Sequence, residues 1–279
     1  MGSRSAQRSI LITGCSSGIG RASAIILRER GWQVLATVRR EEDAHKLRAE
    51  AGVEVILADL ANPAQVTACV SQALELTDGN LFAVFNNAAY GQPGALEDLD
   101  ITAVREQFEV NVFAVHEINR LVIPAMRGRG RGRIVNCSSV LGLIAVPYRG
   151  VYCASKFALE ALTDTLRLEL AGSGIHASLI EPGPIDTRFV DNALAAARRW
   201  VDIEGSVHRA RYETMLAGME RGGKQTFKLP PESVAAKLVH AVESRRPKRR
   251  YYVTRPTYAA AVMRRVLPTA AMDWIAARS

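Results

Sequence analysis

Short apolar runs recur along this chain, each followed by a stretch whose apolar residues return at helical spacing, and the runs carry no alternation of polar residues. Strands are predicted at Ser9–Thr13, Gln33–Val38, Val53–Ala58, Leu81–Phe85, Arg133–Cys137, Ile175–Ile180 and Arg250–Thr254. Helices are predicted at Ile19–Arg30, Glu41–Glu50, Pro63–Thr77, from about Asp100 to Met126, Val151–Leu170 and Pro231–Val242. Strands apolar on both faces belong inside a parallel sheet covered by helices on either side. The expectation is one doubly wound α/β domain with seven parallel strands over residues 9–254. A flexible lead-in (1–8) precedes it and a helical C-terminal extension (255–279) follows. Between Thr187 and Leu229 the pattern becomes irregular, with short amphipathic pieces at Asp191–Trp200 and Val207–Met219 and a break at Gly222-Gly223. An excursion of that length inside a compact domain is usually functional, so 187–229 is expected to be the substrate loop.

The composition is that of an ordinary globular chain: 48% hydrophobic and 23% charged over 279 residues. No run approaches the roughly 18 to 20 apolar residues that span a bilayer. Lys and Arg exceed Asp and Glu by 36 to 28, a net charge of +8. The excess gathers in one knot at Arg127, Arg129, Arg131 and Arg133, and in a second at Arg245, Arg246, Lys248, Arg249 and Arg250. Arg264, Arg265 and Arg278 follow in the tail. Solvated loop charge is the plain reading; no nucleic-acid partner is expected, because no recognised binding module or aromatic stacking run accompanies the arginines. Cys15, Cys69, Cys137 and Cys153 lack metal-ligand spacing and follow no secretory signal, which points to a reducing, cytoplasmic setting and to no metal.

The first strand runs into Thr13-Gly14-Cys15-Ser16-Ser17-Gly18-Ile19-Gly20 and then into a helix, whose free amides attract phosphate. The first glycine permits the turn, the second lets backbone approach a pyrophosphate, and the third allows close helix packing. The spacing is GxxxGxG, and a merely tight strand-to-helix turn looks similar, so the surroundings decide. In an NAD-preferring Rossmann-like fold the second strand ends in an acid that bonds the ribose hydroxyl; here Val38 is followed by Arg39-Arg40. A guanidinium grips a 2′-phosphate, so NADP(H) is expected, with NAD(H) as the alternative; two solvated arginines neutralised by Glu41 and Glu42 are the competing reading. Asp59 and Leu60 follow the third strand, and Asn86-Asn87-Ala88-Ala89 the fourth, at the strand ends where open α/β sheets bind ligands.

Tyr152 and Lys156 stand one helical turn apart at the start of a predicted helix and share a face. A fixed cation near a phenol stabilises the phenolate and lowers its pKa from about 10. Ser139 closes the fifth strand, where its hydroxyl can orient and polarise a carbonyl. Taken singly, a Tyr-x-x-x-Lys is a common amphipathic helix and a strand-end serine a common turn cap.

Together and in this order, Thr13 to Gly20, Asp59, Asn86-Asn87-Ala88, Asn111, Ser138-Ser139, Tyr152 with Lys156, and Pro182-Gly183 with Thr187 resemble the short-chain dehydrogenase/reductase family over roughly Ser9 to Thr254. The resemblance implies Tyr152 as general acid/base with Ser139 as partner, Lys156 on the nicotinamide ribose, and Asn111 behind a water-linked proton relay. It further implies a cofactor held by Gly14, Ser16, Ser17, Gly18, Ile19, Arg39, Asp59, Leu60, Asn87 and Ala88, with Pro182, Gly183, Ile185 and Thr187 beside the nicotinamide. Ala89 departs from the glycine usual in the family, which puts close packing beside the cofactor in question. The segment Pro247–Thr254 with Arg264–Pro268 and Met272–Ile275 is similar to a subgroup of aldehyde and ketone reductases related to retinol and 17β-hydroxysteroid dehydrogenases.

Leu141, Leu143, Ile144, Val146, Phe189, Leu194, Trp200, Met215, Met219 and Phe227 make the expected substrate wall apolar. Leu141 and Phe189 are singled out, with Ser139 and Tyr152, as substrate contacts. A lipophilic aldehyde, ketone, steroid-like or retinoid-like molecule suits such a wall; simple lid packing suits it equally. The tail, with Trp274 and its arginines, suits either a cover over the substrate entrance or an anionic membrane surface. The resemblance also implies a homodimer or homotetramer through the helices of Asn111 and Tyr152. A cofactor-sensing protein without turnover and an NAD-dependent biosynthetic alcohol dehydrogenase are the alternatives in function.

Overall fold

The computed structural model describes residues 8–221 and 226–278. Residues 1–7 of the expected lead-in and the Gly222-Gly223 break lie outside the described residues. In chain order the elements are β1 (Ser9–Ile12), α1 (Gly18–Glu29), β2 (Gln33–Val38), α2 (Glu41–Ala51), β3 (Glu54–Leu57), α3 (Pro63–Glu75) and β4 (Ala83–Asn86). Then come α4 (Ile101–Phe108), α5 (Ala114–Gly128), β5 (Gly132–Cys137), α6 (Gly150–Glu169), β6 (Ile175–Glu181), α7 (Phe189–Trp200) and α8 (Arg209–Glu220). The chain closes with α9 (Glu232–Glu243), β7 (Arg250–Tyr252), α10 (Arg255–Val266) and α11 (Thr269–Ala276). All seven strands run parallel in the order β3-β2-β1-β4-β5-β6-β7, the doubly wound arrangement expected.

Successive strand residues face opposite sides, so β1 feeds two cores. Ile10 and Ile12 meet Ala24 and Leu27 of α1 and Leu238 and Val242 of α9, while Leu11 meets Val66 and Val70 of α3 and Ile118 and Val122 of α5. Burying each such side chain contributes about 2 kcal/mol. The edge strand β3 departs from the two-faced pattern: Glu54 and Leu57 are exposed.

Three elements differ from expectation. The long helix over Asp100–Met126 is interrupted by one π turn at Glu109–Phe113, an inserted residue that a 3.6-residue period cannot report. The 187–229 excursion holds two regular helices, α7 and α8, and returns to its own starting point: the Leu229 amide donates to the Pro184 carbonyl at 3.1 Å and the Asp186 amide to the Leu229 carbonyl at 2.9 Å. The tail is two helices, divided at Leu267-Pro268. Among the described residues no helix is long and apolar enough to cross a membrane.

Candidate active site

The carboxyl ends of β1, β4, β5 and β6 converge where the strand order reverses between β1 and β4, the place where open sheets leave a crevice. The glycine loop lies on one side. The Gly14 amide donates to Thr37 Oγ1 at 3.1 Å and the Cys15 amide to the Thr37 carbonyl at 2.8 Å. Gly14 adopts φ +73°, and a Cβ there would stand 2.8 Å from the Ala88 Cα; a Cβ at Gly20 would stand 2.2 Å from the Gly14 carbonyl oxygen. The tight neighbour of the loop is therefore Ala88, and the departure at Ala89 leaves that contact intact. Asn87 Nδ2 donates to the carbonyls of Thr13 and Gly14 at 2.9 and 3.2 Å, tying β4 to β1. Ser17 sits at the N-cap of α1 without a side-chain cap bond, and no acid occupies the first turn. The amides over Gly18, Ile19 and Gly20 are thus open to an anion. Ser16 is exposed beside them. Thr187 packs on Gly18 from above, and Gly183 lets Thr254 approach, so the Pro182–Thr187 segment, Ile185 included, closes over the loop.

Opposite the glycine loop stand the proton-bearing groups. Tyr152 is buried near the start of α6, where the Ser139 hydroxyl draws its phenol's pKa down. Ser139 also caps the turn at Val140–Gly142, its Oγ accepting from the Leu141 amide at 3.1 Å. Phe189 lies edge-on to the Tyr152 ring at 5.6 Å between centroids, and Gly91 leaves room for that ring. Lys156, one turn along α6, donates from Nζ to the Cys137 carbonyl at 2.8 Å, and its Nζ is 5.7 Å from the centre of the Tyr152 ring. Asn111 lies in the π turn: its amide nitrogen donates to the Tyr90 carbonyl at 3.0 Å and to Ser155 Oγ at 3.2 Å, and its oxygen accepts from the Tyr90 amide at 3.2 Å. Ser155 Oγ in turn donates to the Tyr152 carbonyl at 2.7 Å, which links Asn111 to the tyrosine's backbone.

The electrostatics differ from expectation. Burial pushes the Tyr152 phenol above its ordinary value, and the groups that pull it down are the Ser139 hydroxyl and the Arg149 guanidinium. Lys156 is itself pushed down by burial and points at a carbonyl. Arg149, three residues before Tyr152, is a cation that draws the phenol's pKa down, and its Nη2 lies 3.3 Å from Met219 Sδ of α8.

A family model described as short chain dehydrogenase matches residues 8–197. The chain belongs to the short-chain dehydrogenase/reductase family. This short-chain dehydrogenase is similar to an uncharacterized oxidoreductase, YbbO of Escherichia coli, at 43% identity over 96% of this chain and 94% of that protein. It is also similar to human 17-beta-hydroxysteroid dehydrogenase type 1, at 34% identity over 88% of this chain and 77% of that protein. Human retinol dehydrogenase 8 shares 39% identity over 68% of this chain and 63% of that protein. Among solved structures, a Burkholderia phymatum family member in complex with NAD superposes with a TM-score of 0.76 at 31% identity, over 92% of both chains.

Nicotinamide dinucleotides are the cofactors of this family, and the uncapped α1 amides above glycines that admit no Cβ fit the phosphates of such a group. The remaining sequence-marked residues are placed unevenly. Arg39 is exposed at the exit of β2 and makes no hydrogen bond or ion pair among the described residues, whereas Arg40 is engaged by Glu42 and Asp43. Asp59 accepts from the Ala61 amide at 3.0 Å, while Leu60 turns into the core beneath α3. Leu141 is half-buried in the turn after Ser139. Trp200 and Met215 pack into a lid core around Leu99, Val151 and Tyr212, so the apolar residues of 187–229 are split between lid packing and the site.

Several groups were missed from sequence. Asn119, Asn136 and Thr163 join the sequence-marked Asn86 in a buried polar ladder under the site: Asn86 Nδ2 donates to Asn119 Oδ1 and to Asn136 Oδ1, both at 2.8 Å, and Asn136 Nδ2 donates to Thr163 Oγ1 at 2.9 Å. Arg250 holds Glu160, Glu181 and Asp164 behind Lys156. Glu160 was detectable as the next turn after Tyr152 and Lys156; its partners on β6 and β7 carried no local signal.

Proposed function

We propose that this short-chain dehydrogenase is an NADP(H)-dependent reductase of lipophilic carbonyl compounds, with residues 9–254 as the catalytic unit. One observation carries the reading: a buried tyrosine, flanked by a serine hydroxyl and capped by the apolar Phe189, faces a glycine loop built for phosphates across one crevice. When bound, the nicotinamide supplies or accepts the hydride. Tyr152 gives the substrate oxygen its proton, or takes it in the reverse direction. Ser139 orients that oxygen, and its hydroxyl favours the phenolate left behind. Lys156 holds the nicotinamide ribose, and Asn111 fixes the route by which the proton is replaced. Arg39, unpaired among the described residues at the exit of β2, receives the 2′-phosphate. NAD(H) is the alternative, favoured by the NAD that the Burkholderia phymatum relative carries.

The substrate is proposed to be an aldehyde, ketone, steroid-like or retinoid-like molecule held by Leu141 and Phe189, a choice supported by the names of the human relatives. Exposed Phe113, Leu162 and Leu168 on the helices of Asn111 and Tyr152 support a homo-oligomer, which light scattering would measure. Exposed Tyr258, Val262 and Val266 along one face of α10, with Arg255 and Arg265 beside them, support peripheral contact with an anionic membrane. The test of the function follows NADPH and NADH oxidation across aldehydes, ketones and steroids, with Tyr152→Phe alongside. The variant should bind cofactor and lose about 10²- to 10⁴-fold in turnover. Full turnover by that variant sinks the mechanism, and faster turnover with NADH sinks the role of Arg39.

A further inference from the structure

At the amino-terminal edge of the sheet, far from the carboxyl edge where the glycine loop and Tyr152 lie, the two arginine knots of the sequence come together. Arg129 and Arg131 from the turn after α5, Arg133 at the start of β5, Arg245 after α9 and Arg8 before β1 line one cavity of about 230 Å³. That volume is many times the ~10–15 Å³ that admits a single water. Glu243 is the acid on its wall, and it is already taken: Arg30 Nε donates to it at 2.9 Å and Trp32 Nε1 at 3.1 Å.

The arginines are held in place while their charge is left uncompensated. Arg133 donates to the Gly132 and Ser244 carbonyls at 2.9 and 3.0 Å and lies over the Phe82 ring at 5.6 Å, and Arg8 lies over the Trp32 ring at 5.7 Å. Arg129 donates to the Leu81 carbonyl. Yet Arg129 Nη1 and Arg133 Nε are buried with no hydrogen-bond partner among the described residues. Arg131 and Arg245 are exposed and make no hydrogen bond or ion pair through their side chains among the described residues. Burial disfavours the charge on Arg133 and Arg129, and the nearby Arg131 adds to the strain on Arg129. A buried charged donor without an acceptor is costly, and gathering like charges raises the cost. A guest with several anionic oxygens removes both penalties, and guanidinium forks match phosphate edges in pairs.

We propose that this recess is a second binding site, separate from the cofactor loop, for a small polyanion bearing adjacent phosphate groups. Its size fits a compact guest, and its position requires nothing of the reaction assigned above.

The experiment uses the full chain with the cofactor loop saturated by NADP, so that phosphate binding there does not count. Inorganic tripolyphosphate is the probe, followed by calorimetry and by thermal shift at near-physiological salt. Saturable binding is expected to the wild type. The pair Arg131→Ala/Arg245→Ala, both exposed and free of structural bonds, should weaken it roughly a hundredfold, tenfold for each charge-assisted hydrogen bond removed. The pair Arg255→Ala/Arg265→Ala removes the same net charge elsewhere and should bind as the wild type does. Equal affinity in all three proteins, or no binding to the wild type, overturns the site. Capture by phosphatidylglycerol vesicles that Arg131→Ala/Arg245→Ala abolishes and Arg255→Ala/Arg265→Ala spares, without binding of soluble tripolyphosphate, overturns it as well, by assigning the recess arginines to a lipid surface.

Discussion

At the scale of single residues, the crevice is shaped by what is missing from side chains as much as by what they carry. Gly20 has its neighbour's carbonyl oxygen 2.2 Å from where a Cβ would be, and that neighbour is backbone, which cannot swing aside. Gly20→Ala should therefore lower the melting temperature by an amount corresponding to about 1–3 kcal/mol, as overpacking does, and weaken cofactor binding in the same protein; fluorescence titration with NADPH reads the second effect. Arg149 was invisible as a functional residue, because a lone arginine before a helix reads as surface charge. Its influence on Tyr152 exists because both stand at the start of α6, three residues apart. Arg149→Met removes a group that pulls the phenol's pKa down. The pH at which alcohol oxidation reaches half its maximal rate should move upward in that variant, while the wild-type profile returns in Arg149→Lys. An unmoved profile would show that the guanidinium does not act on the phenol.

At the scale of elements, α6 carries Tyr152, Lys156, Glu160 and Asp164 at successive turns of one face, so the proposed proton donor and structural charge share one helix. Glu160 and Glu181 both meet Arg250 Nη1, the latter at 2.6 Å, and Asp164 meets its Nη2 at 2.5 Å. This clamps β7 to β6 and α6. Burial, reinforced by Glu160, pushes Glu181 from an ordinary 4.5 up to about 8. Since the folded-state value is the higher one, the protonated carboxyl stabilises the fold below pH 4.5, and that contribution is lost as the pH rises through 8. Melting temperatures between about pH 5 and pH 9 should fall for the wild type, with a shallower fall for Glu181→Gln. Arg250→Met strands the carboxylates and should cost about 3–5 kcal/mol in chemical denaturation. The helical face was legible from its four-residue spacing. The clamp was not, since Glu160 and Arg250 stand 90 residues apart and Glu181 and Arg250 stand 69 apart. The π turn around Asn111 escaped for another reason: one inserted residue leaves the composition of the helix unchanged.

At the scale of the whole molecule, the fold places its two charge-handling edges at opposite ends of one parallel sheet. A cofactor that binds only the folded chain stabilises it by mass action, so NADP at about a hundred times its dissociation constant should add about 2.7 kcal/mol and raise the melting temperature by roughly 5 °C. NAD at the same concentration should do less if Arg39 reads the 2′-phosphate; equal shifts would remove that residue from the cofactor site.

Apolar runs without alternation, joined by helical periods, determined by themselves that the chain is a doubly wound sheet, and the glycine spacing with Tyr152 and Lys156 pointed to the carboxyl edge of that sheet as the proposed site. These are local signals, carried within a turn of helix or a stretch of strand. Only tertiary structure decided that Arg250 gathers three carboxylates and that arginines from distant knots share a cavity. Each depends on which strand edges lie side by side, and strand order is set by packing of the whole core, which no window along the chain contains.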